Sequence, residues 1–356
     1  MKKFKKIIAT ILAGTMAVCM LTACEDNAVS NETSETVISS EQKTEVSDAN
    51  ETETTMEEIT PVTVNVGSLK GPTSIGLVKM MDDAANGLLV DNYNFEMAVT
   101  ADEILPKVVS GKIDIALVPA NVASVLYNKT EGEVVAIDIN TLGVLYAVSG
   151  DDSVKSVSDL KGRDVYVTNK GTTPDYVLQY LLNENGLTTD DVNIQYKSEA
   201  AEVAAILSEK TDSIGILPQP FATASCIKDA NLKEVLDLTA EWDNLQKEDG
   251  SRLVTGVTIV RKDFLINNPD AVERFLEAHR ASAEYTDTNP EETAALVVSA
   301  GIIEKEPVAV KALPKCKIVF IDGEEMQKAL GGYLNVLYEY APESVGGKLP
   351  GEDFYR

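Results

Sequence analysis

Two stretches about a hundred residues apart carry the same polar chemistry in the same order. Lys70-Gly71-Pro72-Thr73-Ser74 leads into an apolar-periodic segment, and 46 positions after Thr73 comes Pro119, in Ile115-Ala116-Leu117-Val118-Pro119-Ala120-Asn121. Lys170-Gly171-Thr172-Thr173-Pro174 leads into another, and 45 positions after Thr173 comes Pro218, in Ile214-Gly215-Ile216-Leu217-Pro218-Gln219-Pro220-Phe221. A helix N-terminus leaves backbone N–H groups unpaired and carries partial positive charge, so it attracts anions or lone-pair oxygens. Glycine before it lets a ligand approach the backbone, and threonine adds a hydroxyl. Thr173-Pro174-Asp175 also reads as cap, first-turn proline and acid. Matched in spacing, the two copies point to two similar lobes with a ligand held between them.

The strand-end loops extend the same reading. Ligands of open α/β sheets bind beyond the carboxyl ends of the strands, where Pro119, Asn121, Pro218 and Gln219 stand. Asn121 and Gln219 each offer a donor and an acceptor. Thr141, Gly143, Tyr146, Thr255 and Gly256 would line the back of the cleft. Tyr127, Tyr146, Tyr176 and Phe221 could stack on a ring, but read more readily as core or wall. Arginine occurs only at 163, 252, 261, 274, 280 and 356. Dianions and dicarboxylates attract bidentate arginine, so a small monoanion or an uncharged heterocycle fits this chain better.

The elements that must hold these residues alternate between strand and helix, as in α/β folds. Strands are expected over 63–66, 94–99 and 113–118, with helices over 74–85, 101–110 and 121–127. After a long β-rich segment over 134–148 the pattern restarts. Strands over 164–168, 192–196 and 214–217 then alternate with helices over 174–185 and 199–208. A further apolar run, 254–260, has no partner in the repeat. The odd strands at 142–148 and 255–260 would be the crossings between lobes. Asn268-Pro269-Asp270 and Asn289-Pro290-Glu291 each mark a helix start in a mostly helical remainder.

Length, charge and the N-terminus bound the function. At 356 residues the chain has room for about two or three domains. Its formal charge is −26, and without Lys2, Lys3, Lys5 and Lys6 only 27 basic residues face 57 acidic ones. Such a field repels nucleic acid and anionic lipid. The lysine-rich start precedes an apolar run over 7–20, too short for a membrane span, which reads as a signal peptide. Its end, Leu21-Thr22-Ala23-Cys24, resembles the bacterial lipoprotein signal, with Cys24 as the lipidated residue. From Glu25 to about Thr60 the chain is Ser/Thr/Glu/Asn-rich, with eleven acidic residues against Lys43 alone. That composition reads as a disordered tether reaching roughly 30–35 Å. With Cys19 removed and Cys24 lipidated, Cys226, in an expected helix of the second lobe, and Cys316 remain, and two buried free thiols are favoured over a bridge. His279, the sole histidine, falls on one helix face with Val272, Phe275 and Leu276 and reads as half-buried packing. One histidine builds neither a zinc site nor a histidine-based triad. Trp242, in a polar loop of the second lobe, reads as surface or lobe packing.

The lipoprotein signal, the tether and the phrases KGPTSIGLVKMM, DIALVPAN, KGTTPDYVLQYLL and ILPQPFAT together resemble the solute-binding proteins of ABC importers. The resemblance covers about 61–340. It lies with the type II periplasmic-binding fold, in the branch of nitrate, sulfonate, taurine and thiamine-precursor binders. It implies two Rossmann-like α/β lobes joined by two crossing strands: 61–147 plus 256–356 as lobe 1, and 148–255 as lobe 2. It implies a monomer without cofactor or metal, lipid-anchored on the extracytoplasmic face, that passes a small polar or monoanionic solute or heterocycle to a permease. The site residues would be Lys70, Gly71, Pro72, Thr73, Ser74, Pro119, Asn121, Thr141, Gly143, Tyr146, Lys170, Gly171, Thr172, Thr173, Pro218, Gln219 and Thr255. Alternatives on the same fold are a surface sensor and an enzyme. Thr73→Ala and Thr173→Ala are each expected to weaken ligand binding while leaving folding intact; titration of both folded variants, with unchanged affinity in both, would remove the clamp.

Overall fold

In the computed structural model, which describes residues 60–168, 170–246 and 251–356, the repeat becomes two sheets of related order. The signal segment, Cys24 and the tether residues before Thr60 lie outside the described residues. The first half-lobe runs β1 (Thr63–Leu69), α1 (Pro72–Ile75), α2 (Val78–Ala85), β2 (Asn92–Ala98), α3 (Ala101–Val109), β3 (Ile115–Pro119), α4 (Ala120–Lys129) and β4 (Val134–Leu142). After β5 (Leu145–Ser149) the second runs β6 (Asp164–Thr168), α5 (Thr173–Glu184), β7 (Asn193–Lys197), α6 (Ala200–Glu209), β8 (Ile214–Pro218), α7 (Phe221–Lys228), β9 (Lys233–Asp237) and α8 (Leu238–Leu245). β10 (Val254–Arg261), α9 (Lys262–Asn267), α10 (Pro269–Thr288), α11 (Pro290–Ser299), α12 (Glu306–Ala312), β11 (Ile318–Ile321) and α13 (Gly323–Tyr340) complete it.

The first sheet is ordered β11-β4-β10-β3-β1-β2 and the second β7-β6-β8-β5-β9. In each, three strands from the repeat are parallel, β2-β1-β3 and β7-β6-β8. In each, the next strand is antiparallel and arrives from the other half. β5 leaves the first sheet after only Gly143 and Val144 and inserts between β8 and β9. β10 returns from α8 and inserts between β3 and β4. The run at 254–260, without a partner in the sequence echo, thus has its topological counterpart in β5.

Local chemistry explains most of the element boundaries. Glu103 accepts the Thr100 amide at 3.1 Å, a capping box that starts α3. α10 and α11 begin at Pro269 and Pro290, each just after its asparagine. The helix expected over 74–85 is instead broken at Gly76 and Leu77. There α10 and β11 press against the backbone: a Cβ on Gly76 would lie 3.1 Å from Ile318 and 3.5 Å from His279. α7 is the helix expected around Cys226, whereas β9, α8 and β11 are short and without clear periodicity.

The structure decides the single-residue expectations, and corrects that for His279. His279 is wholly buried rather than half-buried, with Nδ1 at 3.3 Å from Asp138 Oδ2 and its ring between Phe275 and Phe320. Trp242 is fully buried, between Tyr180 of α5 and Tyr333 of α13, so it is lobe packing and not surface. Cys226 and Cys316 are both free, the second buried and the first half-buried.

Burial pushes the Cys316 thiol up to about 12, and burial with the nearby Glu234 charge pushes Cys226 up to about 11. The unfolded chain would ionise its thiols near about 8.5. As pH rises past that value the unfolded state therefore loses protons first, and stability falls until the folded thiols also titrate. Thermal unfolding midpoints are expected to drop steadily from pH 8.5 to 11, with a shallower slope in Cys316→Ala.

Candidate functional site

The first motif closes β1 onto a single helical turn. Lys70 is exposed, Gly71 sits at φ 148°, and Pro72 opens α1. Thr73 Oγ1 donates to the Leu69 carbonyl at 3.0 Å. Ser74 Oγ lies 2.6 Å from the same carbonyl and 2.7 Å from Ser68 Oγ. Both side chains are buried, and their hydroxyl protons hold the strand end to the turn. With four residues, α1 lacks the aligned peptide dipoles of a full helix. The first jaw is a packed loop and not a helix-dipole site.

The second motif stands on a longer helix and is organised by a carboxylate. Gly171 has φ 78° and Thr172 caps the twelve residues of α5. Asp175, one turn in and 1% exposed, accepts the Gly171 amide at 2.7 Å, Tyr196 Oη at 2.8 Å and Gln179 Nε2 at 2.5 Å. Lys170 is exposed, with Nζ 5.5 Å from the Tyr196 ring centre. A carboxylate in a first helical turn is stabilised by the dipole, so Asp175 both shapes the loop and offsets its positive end.

The two copies meet. Thr173 Oγ1 donates to Asn121 Oδ1 at 3.3 Å, joining the start of α5 to the start of α4. Asn121 Nδ2 in turn donates to the Ser344 carbonyl at 3.4 Å. The Tyr333 hydroxyl of α13 approaches Thr173 without hydrogen-bond geometry. Pro119 and Pro218 each end a strand, paired with Gly256 and Leu145.

Beneath this contact the strands supply a polar floor. Thr141 Oγ1 donates to Asn140 Oδ1 at 2.9 Å, and Asn140 Nδ2 to Thr258 Oγ1 at 3.2 Å. Thr258 Oγ1 donates to Asp138 Oδ1 at 2.9 Å, the carboxylate facing His279. Gly256 lets the first motif reach this chain: its Cβ would fall 2.5 Å from Asn140 Oδ1 and 2.6 Å from Thr73 Cγ2. Gly143 does the same for α8, since its Cβ would lie 2.1 Å from Thr239 Oγ1.

Two expected contact residues are turned to other work. Gln219 is wholly buried, its Nε2 on Glu234 at 2.9 Å and its Oε1 taking the Thr223 amide at 3.2 Å, so both ends of its amide are engaged within the second lobe. The Gln219-Pro220 peptide is cis. Tyr146 packs among Val148, Tyr166 and Leu217, and burial raises its phenol pKa.

The NMT1/THI5-like family model matches residues 102–293. The chain belongs to the NMT1/THI5-like family. Binding proteins of Brucella abortus and Brucella suis are each 26% identical over 168 residues, 47% of this chain and 50% of theirs, so the chain spans about half their length in the match. An ABC transporter structure from Parabacteroides distasonis superposes with a TM-score of 0.68 at 25% identity, covering 83% of this chain and 98% of that one. The aliphatic sulphonate binding protein SsuA from Escherichia coli gives 0.65 at 16% identity, over 82% and 95%. The nitrate-binding protein NrtA from Synechocystis gives 0.53 at 14%, over 75% of each. The fold they share with this chain is the type II periplasmic-binding fold.

In this NMT1/THI5-like chain, residues outside the echo also carry buried polar groups. Thr255 Oγ1, Thr239 Oγ1, Trp242 Nε1 and Tyr333 Oη are buried without a hydrogen-bond partner. The Trp242 ring lies 5.5 Å from Tyr333 and 4.6 Å from Tyr180. Buried unpaired groups cost about 1–3 kcal/mol each, and in native proteins they call for an explanation such as function. Thr239, Trp242 and Tyr333 belong to α8 and α13, to which the repeat gives no clue. Among the described residues no cluster of His, Cys, Asp or Glu is arranged to hold a metal, and no helix is long and apolar enough to cross a membrane. Asp175→Ala would strand three donors, and is expected to cost about 1–3 kcal/mol in urea unfolding, with Asp175→Asn costing less.

Proposed function

We propose that this chain is the solute-binding component of an ABC importer, a monomer that captures a small polar or monoanionic solute, or a heterocycle, between its two lobes. The lobes are taken as 61–147 plus 256–356 and as 148–255. A lipid on Cys24 would hold the protein on the extracytoplasmic face of a membrane, where the closed form passes its solute to a permease. The observation that carries this reading is the Thr173 to Asn121 hydrogen bond, which joins the helix-start motif of the second copy to the strand-end motif of the first.

The proposed site residues take unequal parts. Thr73, Ser74, Pro119, Asn121, Thr141, Gly143, Thr173 and Thr255 would face the solute or shape its floor, a reading supported by the Thr173 to Asn121 bond and by Thr73 beside Gly256. Lys70, Gly71, Pro72, Lys170, Gly171 and Thr172 form the turns that position them. Pro218, Gln219 and Tyr146 would support the wall. Five of the six arginines are engaged with carboxylates: Arg163 with Asp151, Arg261 with Asp114, Arg274 with Asp91, Arg280 with Asp322 and Arg356 with Glu273. A monoanion or neutral solute suits hydroxyl and amide groups better than a dianion would.

A solute that touches both lobes stabilises the closed state by its differential contacts. A thermal-shift screen over sulfonates, nitrate, amino acids, thiamine-type pyrimidines and flavins is expected to show one class raising the midpoint, since a ligand at a hundred times its Kd adds about 2.7 kcal/mol. With that ligand, emission from Trp242, the only tryptophan, should change and the scattering radius should shrink. A bound ligand that produces no compaction would sink closure.

A further inference from the structure

A groove between α7 and α12 is lined, Thr223 apart, by residues that neither motif supplies. Its volume is about 700 Å3, within the range of small-molecule sites, which favour interfaces between domains. α7 and β9 provide one wall. The other is α12 with the Leu313–Lys315 turn, which packs with Ile75 and Val78 beside the first motif.

Its charge runs against that of the molecule. Lys233, Lys311 and Lys315 line the groove against the single carboxylate of Glu234, in a chain of formal charge −26. Glu234 is fully engaged, with Oε2 on Lys315 Nζ at 2.5 Å and Oε1 taking Gln219 Nε2 at 2.9 Å and Thr223 Oγ1 at 3.2 Å. Lys233 is paired with Asp152 at 2.7 Å. Lys311 is exposed and has no ion-pair partner among the described residues. With the other two lysines neutralised, the groove keeps one net positive charge. Beside it lie Ile227, 42% exposed, with Val310 and Pro314. The Cys226 thiol, pushed up to about 11 by burial, stays neutral at pH 7 and brings no competing charge.

We propose that this groove is a second ligand site, for a small organic monoanion whose head meets Lys311 and whose apolar body lies on Ile227, Val310 and Pro314. An occupant touching both walls ties the lobes together at a place separate from the jaws. A lysine ammonium with an adjoining apolar surface selects charge and body together, because the apolar contact adds to an ion pair that alone would be weak in water.

The test titrates 4-fluorobenzoate into the full chain by fluorine NMR. Saturable binding is expected, at least tenfold weaker in Lys311→Gln, at least tenfold weaker for the neutral 4-fluorobenzamide, and unchanged in Thr173→Ala. Lys311 is exposed, so its variant should melt with the parent chain. Absence of saturable binding overturns the proposal, as does equal binding of the amide. Affinity that falls in Thr173→Ala but survives in Lys311→Gln also overturns it, because the probe would then occupy the jaws; this outcome leaves the cleft reading standing.

Discussion

Only Gly143 and Val144 separate the end of β4 in one sheet from the start of β5 in the other, and most of the molecule's geometry follows from that short link. Three Cα–Cα steps of extended chain span at most about 11 Å, so the end of one strand lies close to the start of the other. Gly143 permits it by leaving room for Thr239, which lies where a side chain would be. The returning strand β10 is constrained likewise: Gly256 admits Thr73 and Asn140 to the same small volume. Thr73 lies against Gly256, the strand partner of Pro119, and Thr173 bonds Asn121 two residues further on.

That convergence is held by hydrogen bonds of very different reach. Thr73 and Ser74 tie down their own strand end, and Asp175 ties down its own loop, through partners close in the chain. The link from Thr173 to Asn121 spans 52 residues, and that from Asn121 to the Ser344 carbonyl spans 223. The local bonds make each jaw rigid as a unit. The distant bonds, at 3.3 and 3.4 Å, are longer. Behind them the buried chain from Thr141 to Asp138 and His279 satisfies polar groups that would otherwise be stranded between two layers of apolar packing. The lone histidine is thereby a structural partner of Asp138.

Parts of this arrangement were legible in the residues and parts were not. The strands at β1, β3, β6 and β8 carry dense apolar runs, and α10 and α11 carry asparagine-proline starts, so their places could be read from local signals. The continuous helix expected after Pro72 fails because Gly76 faces α10, a contact with His279 and Ala283 some two hundred positions away. Gln219 looked like a ligand amide because it follows a strand end. Glu234, which occupies it, sits on a strand too short and too mixed to be seen beforehand. For Trp242 the polar neighbours left surface and lobe packing both open, and Tyr180 and Tyr333, which enclose it from two other helices, decide for packing.

By itself the sequence determined the duplicated half-lobe, its motif spacing and its α/β class, because those depend on periodicity, caps and turns that act within a few residues. Only the tertiary structure decided which of the repeated hydroxyls and amides stay available. Availability depends on partners such as Asn121 for Thr173, Glu234 for Gln219 and Leu69 for Thr73. Two motifs alike in wording therefore became one short packed turn and one capped helix, a difference set by what each lobe packs against them.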